Sequence, residues 1–151
     1  MIAAALAGTW AGTGGFRLMP ADPLREFPAT VNVTTAAGGH LALIAYTWRH
    51  PDDGPQDGLL LVGRAGDGGA VAGTWGDSLH QQPEPMSLTG RSADALDLEG
   101  TYGGDWRWRI RVEAGEGGLT MTMDNVVPAG EAAADVPPGP YPGMVVRAVR
   151  S

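Results

Sequence analysis

The sequence contains no cysteine and no lysine. Without cysteine there is no disulfide, no thiolate nucleophile and no Cys-ligated zinc or iron–sulfur site. The ten basic residues are all arginine, and the missing lysine reads as genomic base composition rather than chemistry. Seventeen acidic residues leave a net charge of −7, the wrong sign for nucleic acid and for anionic lipid headgroups. No run approaches the roughly 20 apolar residues of a membrane span. The apolar start, Met1 to Ala7, is short and has no basic flank before the first strand signal, so no leader is read and the expected location is the cytoplasm. No stretch keeps a helical period over about a dozen residues.

What is abundant is punctuation. Twenty-four glycines and twelve prolines are spread along 151 residues with an ordinary hydrophobic fraction of 43%, which suits one domain over residues 1–151 built from many short elements. Strands are expected at Gly8–Leu18, Phe27–Thr35, His40–Arg49, Gly58–Arg64, Ala70–Ser78, Pro85–Arg91, Leu96–Gly103, Trp106–Glu113, Leu119–Val127 and Met144–Arg150. Joints such as Ala37-Gly38-Gly39, Gly66-Asp67-Gly68-Gly69 and Gly115-Glu116-Gly117-Gly118 carry hairpin chemistry. Met19–Glu26, Pro51–Asp57 and Ala129–Gly143 read as longer connections. About ten hairpin-linked strands make a meander, and closing it removes both edges. The expected fold is therefore all-β: a single antiparallel up-and-down β-barrel.

The alternation in Trp106-Arg107-Trp108-Arg109-Ile110-Arg111-Val112 is the clearest in the chain. A period of two puts Trp106, Trp108, Ile110 and Val112 on one face and three arginines on the other. Burying the arginines would demand several paired carboxylates, so the apolar row is taken as the inside. Facing the other way, Arg107, Arg109 and Arg111 would form a clamp for a ligand carboxylate. Leu119, Met121 and Met123 form a second inward row, and Ile44, Tyr46 and Trp48 a third. Such rows either fill a small barrel or line a cavity in it.

Chemistry-bearing residues are sparse. Asp77-Ser78-Leu79-His80 is the one place where Asp, Ser and His crowd together. On a strand Ser78 and His80 share a face that Asp77 does not, and no Gly-x-Ser-x-Gly elbow occurs. His40 and His50 bracket one strand, and no His pair has metal-binding spacing, so no metal is expected. Asp52-Asp53 reads as a solvated turn, and Asp97 and Glu99 alternate outward with Leu96 and Leu98, which gives little support to carboxylate-pair catalysis. Gly12-Thr13-Gly14-Gly15 lacks the Lys-Ser/Thr ending of a phosphate loop. No catalytic residue and no cofactor are assigned.

Leu6-Ala7-Gly8-Thr9-Trp10-Ala11-Gly12 resembles the Gly-x-Trp opening strand of the calycins, the superfamily of lipocalins and fatty-acid-binding proteins. That resemblance implies a first-strand Trp closing one end of the barrel, with an Arg near the C-terminus across it: here Trp10 with Arg147 or Arg150. Tyr46-Thr47-Trp48, Gln56-Asp57-Gly58, Asp77-Ser78-Leu79-His80, Trp106-Arg107-Trp108-Arg109 and Met121-Thr122-Met123-Asp124-Asn125 together resemble an uncharacterised bacterial lipocalin-like family. Leu79 stands where that family has Trp. The resemblance implies a barrel and no established activity. The opening strand is also similar to that of the haem-binding nitrobindins, but their proximal histidine has no counterpart, since no His follows His80.

The leading expectation is a barrel that binds a small apolar or amphipathic molecule. Tyr46, Trp48, Trp75, Trp106, Trp108, Met121 and Met123 would line the lumen, with Asp77, His80 and Asn125 as polar anchors. Two other readings stay open: an isomerase or cyclase using the enclosed pocket, and a ligand-free scaffold or dimerisation module. A homodimer through an outer sheet face is compatible with each. No nucleic acid or membrane partner is expected.

Overall fold

Period-two alternation produces a wall with one dry and one wet face, and here the wall closes on itself. In the computed structural model, which describes residues 2–151, the strands are β1 (Gly8–Phe16), β2 (Arg25–Ala36), β3 (Leu41–His50), β4 (Gly54–Gly63) and β5 (Ala70–Asp77). They continue as β6 (Gln81–Ser92), β7 (Ala95–Thr101), β8 (Arg107–Gly115), β9 (Gly118–Val127) and β10 (Gly139–Arg150). Met1, the first residue of the apolar start, lies outside the described residues. Each strand pairs antiparallel with its neighbours in sequence, and β1 pairs with β10 to complete a closed ten-strand barrel. Closure satisfies the backbone groups that an open sheet would leave at its edges.

The inward rows fall where alternation places them. Trp108, Ile110 and Val112 of β8 are buried, as are Ile44, Tyr46 and Trp48 of β3 and Leu119, Met121 and Met123 of β9. The arginine row faces outward, and the register explains what it does there. Glu99 lies opposite Arg109 and Asp97 opposite Arg111 across the β7–β8 ladder. Glu99 accepts from Arg107 at 2.8 Å and Arg109 at 2.5 Å, and Arg111 reaches Asp97 at 2.7 Å and Glu113 at 3.0 Å. The arginines are surface ion pairs, and the inward clamp does not form.

Strand ends depart from expectation. Residues 54–57, read as part of a loop, open β4, because the chain turns in 51–53 and pairs again at once, His50 opposite Gly54. Residues 139–143 of the last long connection belong to β10, which is irregular between Pro142 and Met144. Trp106 lies before β8 rather than in it, half-buried, with its ring centroid 6.4 Å from that of Tyr102. The alternating pattern runs past the strand because the turn at residues 103–105 releases the chain late.

One end of the barrel is stoppered by a short helix, α1 (Ile2–Ala5), for which four residues give no periodic signal. Its Ala3 and the following Leu6 are buried, and Trp10 Nε1 donates to the Leu6 carbonyl at 2.9 Å. The Arg150 guanidinium sits 4.3 Å from the centre of the Trp10 ring and donates to the Ala7 carbonyl at 2.9 Å. Arg150 thus makes the stacking contact, while Arg147 points to solvent. Above this stopper Ile44, Leu60, Leu96, Ile110, Met121 and Val146 fill the middle of the barrel. Each such side chain contributes about 1.5–3 kcal/mol by leaving water.

Gly58 shows how tightly the wall is fitted to its contents. It pairs with Tyr46 across β3 and β4, and a Cβ built on it would lie 2.2 Å from the Tyr46 Cζ and hydroxyl. Only glycine lets the ring lie flat against the strand.

Candidate functional site

At the end opposite α1 the packing stops short of the rim. A cavity of about 220 Å³ remains there, walled by Trp75, Trp108, His80 and Met86, with Phe16 and Tyr102 among its other neighbours. Trp75 lies near the end of β5 and Trp108 near the start of β8, and both project inward at the same level, ring centroids 5.3 Å apart with planes 24° from parallel. His80 lies 5.8 Å from Trp108, 6.3 Å from Trp75 and 5.3 Å from Trp48, nearly parallel to the last at 14°. The result is a pocket of flat π-faces with imidazole in their midst.

The turn that carries His80 is built on Asp77. The Asp77 side chain is wholly buried, and its Oδ1 accepts the backbone N–H of Leu79 at 2.8 Å and of His80 at 3.2 Å. Its Oδ2 accepts the Tyr46 hydroxyl at 2.6 Å and Trp48 Nε1 at 3.0 Å. Tyr46 in turn accepts Trp75 Nε1 at 2.9 Å. One carboxylate therefore fixes the turn, the Tyr46 ring and two tryptophans. Burial alone would push its pKa up; His80, the Tyr46 hydroxyl and the Leu79 amide outweigh that and hold the carboxyl below its usual range. Burial, then the adjacent Asp77 charge, drives the Tyr46 hydroxyl well above its ordinary value, so it stays a donor.

Strand parity separated Asp77 from His80, and the structure brings them together. The turn after Asp77 breaks the period of two, returning His80 to the inside while Ser78 stays outside, bonded to Gln56 at 2.6 Å. His80 Nδ1 lies 3.4 Å from Asp77 Oδ1, close enough for electrostatic attraction. Nδ1 makes no hydrogen bond there, so the carboxylate acts on the ring through space.

A second polar chain crosses the mouth. The Tyr102 hydroxyl donates to Asn125 Oδ1, Asn125 Nδ2 donates to the Tyr141 hydroxyl at 3.0 Å, and Tyr141 donates to the Leu18 carbonyl at 2.7 Å. Burial, then neighbouring Tyr141, raises the Tyr102 pKa. Arg17, just past β1, also lines the cavity and donates Nε to the Pro142 carbonyl at 2.8 Å.

Of the ten residues singled out in the sequence, Trp75, His80, Trp108 and Asn125 line the cavity. Tyr46, Trp48 and Asp77 stand behind it as the hydrogen-bonded backing. Met121 and Met123 face inward but are sealed in the packed middle, Met123 opposite Ile110 and so one inward step beyond the Trp108–Asn125 pair. Trp106 lies away from the cavity. Phe16, Arg17, Leu18, Met86, Tyr102 and Tyr141 line it without having been singled out. Most of these sit at strand ends or in connections, where alternation gives no direction. No group of three His, Asp or Glu placed to hold a metal occurs among the described residues, and no helix among them is long and apolar enough to cross a membrane.

A scan against protein-family models finds no match to this chain, and a search of curated proteins finds none either.

Proposed function

We propose that the chain is a calycin-like binding barrel, working in the cytoplasm, that holds a small, largely apolar molecule at its open end. The observation carrying this reading is the aromatic cavity left above an otherwise packed interior. Its volume is about 220 Å³. That lies below the roughly 300–1,000 Å³ of pockets for drug-sized ligands. The size suits a molecule of one or two rings, not a long acyl chain. Flat faces from Trp75, Trp108 and His80 supply burial and stacking, and the Tyr102–Asn125–Tyr141 chain gives the mouth a polar rim.

The test is native mass spectrometry of freshly purified protein, repeated after denaturation, with tryptophan fluorescence during titration of small aromatic compounds. A discrete excess mass lost on denaturation, or saturable quenching removed by Trp108→Ala, supports the reading. A bare polypeptide mass together with no saturable response to any compound rejects it and leaves a ligand-free scaffold.

A second reading has its own observation, the placement of His80 between the cavity and the buried Asp77 carboxylate. An imidazole with a carboxylate behind it is the arrangement of a general base, and an isomerase needs little more than that base and an enclosed pocket. Conversion of a bound compound, abolished in His80→Asn while binding persists, would move this reading ahead.

A further inference from the structure

The cavity differs in charge from the molecule around it. The chain is net −7, yet among the described residues Arg17 lines the cavity and no aspartate or glutamate does, the nearest carboxylate being Asp77 behind His80. Arg17 is half-buried at the rim, where the chain leaves β1. Its Nε is tied to the Pro142 carbonyl at 2.8 Å and one terminal nitrogen to the Pro20 carbonyl at 3.5 Å. Among the described residues it makes no ion pair. Of the ten arginines, the three on β8 are paired with carboxylates; what sets Arg17 apart from the other unpaired ones is that it lines the cavity. Two backbone carbonyls orient the guanidinium without neutralising it, and its remaining N–H groups keep their capacity for an anion.

Trp108 Nε1 and His80 Nδ1 are left without a hydrogen-bond partner at the cavity, but Arg17 is the permanent cation among the described lining residues. Asn125 and Tyr141 are engaged with each other, with Tyr102 and with the Leu18 carbonyl. Trp75 and Trp108 stack on one another and, with His80 beside them, form an aromatic wall against which a flat ring can lie within the same cavity.

We infer that the ligand is a planar aromatic carboxylate, its ring against the wall of Trp75, Trp108 and His80 and its anion on Arg17 at the mouth. This rests on the binding-barrel reading and adds charge selectivity to it. A half-buried guanidinium–carboxylate pair is both attractive and directional, whereas a neutral analogue of the same shape gains the stacking alone.

The probes are 2-naphthoate against 2-naphthamide, and benzoate against benzamide, each titrated calorimetrically into the full chain at neutral pH. The carboxylate of at least one pair is expected to bind on the order of tenfold tighter than its amide, with a gap that narrows as salt rises. In Arg17→Gln the ratio should fall to about one, and Arg17→Lys should restore part of it. Equal affinity for acid and amide in the unaltered protein would overturn the carboxylate assignment and leave the binding barrel intact. Binding of none of the four would overturn the carboxylate assignment, and together with a bare polypeptide mass in the native spectrum it would overturn the binding barrel as well. An acid preference that survives in Arg17→Gln would overturn the role of Arg17. Should that variant fail to fold, the acid-to-amide ratio and its salt dependence in the unaltered protein still decide the matter.

Discussion

Replacing Asp77 by asparagine keeps the shape of the side chain and removes its charge and one acceptor. The carboxylate accepts four hydrogen bonds, from the Leu79 and His80 amides on Oδ1 and from Tyr46 and Trp48 on Oδ2. If the asparagine oxygen keeps the backbone pair, its amide faces the Tyr46 hydroxyl and the Trp48 indole N–H, both of which donate. The hydroxyl can turn; the indole cannot, and stranding one buried donor costs about 1–3 kcal/mol. Losing charge assistance on the remaining bonds adds to this, and relief of the buried charge subtracts from it. A net loss of about 3 kcal/mol follows, which for a chain of this length lowers Tm by about 6–12 °C.

The effect has a pH signature. The folded carboxyl titrates below its usual range, so its stabilisation is complete above the unfolded value of about 3.9 and is lost as pH falls through the depressed folded value. The unaltered protein should therefore lose stability below pH about 4, and the gap to Asp77→Asn should narrow as the carboxyl protonates. Thermal melts followed by circular dichroism from neutral to acid pH give both readings. A neutral-pH difference under about 2 °C, or a gap unchanged at the acid end, would refute the role given to this carboxylate.

Other perturbations separate strong contacts from weak ones. Gly58→Ala drives a Cβ into the Tyr46 ring and should cost about 1–3 kcal/mol in urea denaturation; because it displaces the Tyr46 hydroxyl, its effect should be non-additive with Asp77→Asn. Arg150→Ala removes the contact over Trp10 and the hydrogen bond to Ala7, an expected loss of about 1–2 kcal/mol by the same measurement. Glu99→Gln unpairs Arg107 and Arg109 on the exposed face, and melts should show a change of at most about 1 kcal/mol that disappears at high salt.

Legibility in the sequence followed the reach of a single rule. Where a strand alternates for its whole length, as in β8, both faces were readable: Trp108 and Ile110 inward, Arg109 and Arg111 outward. The rule misled as soon as the chain left the strand. Trp106 keeps the parity of Trp108 but precedes the first ladder pair of β8, so its ring meets Tyr102 instead of the interior. Asp77 and His80 have opposite parity on a strand and meet because a turn intervenes. The open end of a barrel is made of strand ends and turns, so Arg17, Tyr102 and Tyr141 carried no periodic signal. Helix α1 was invisible for a related reason, being too short to show a period at all. Composition spoke for the whole chain and was silent on any one place in it.

The closed ring has a kinetic meaning as well. All but one of its pairings join strands adjacent in sequence and can form within their own hairpins. The β1–β10 seam joins residues roughly 130 apart, and against a hairpin loop that is about five doublings of length, ~3 kcal/mol of extra closure entropy. Nothing in the nine hairpin pairings offsets that term until the seam is made. A meander lacking the seam would keep two bare edges and an exposed interior, so seam formation is where local structure becomes one cooperative unit. Gly12 lies on that line, where an added Cβ would fall 2.0 Å from the Arg147 carbonyl oxygen. Bulk at this position acts on the slowest-forming contact of the fold, and its mark belongs in the refolding rate.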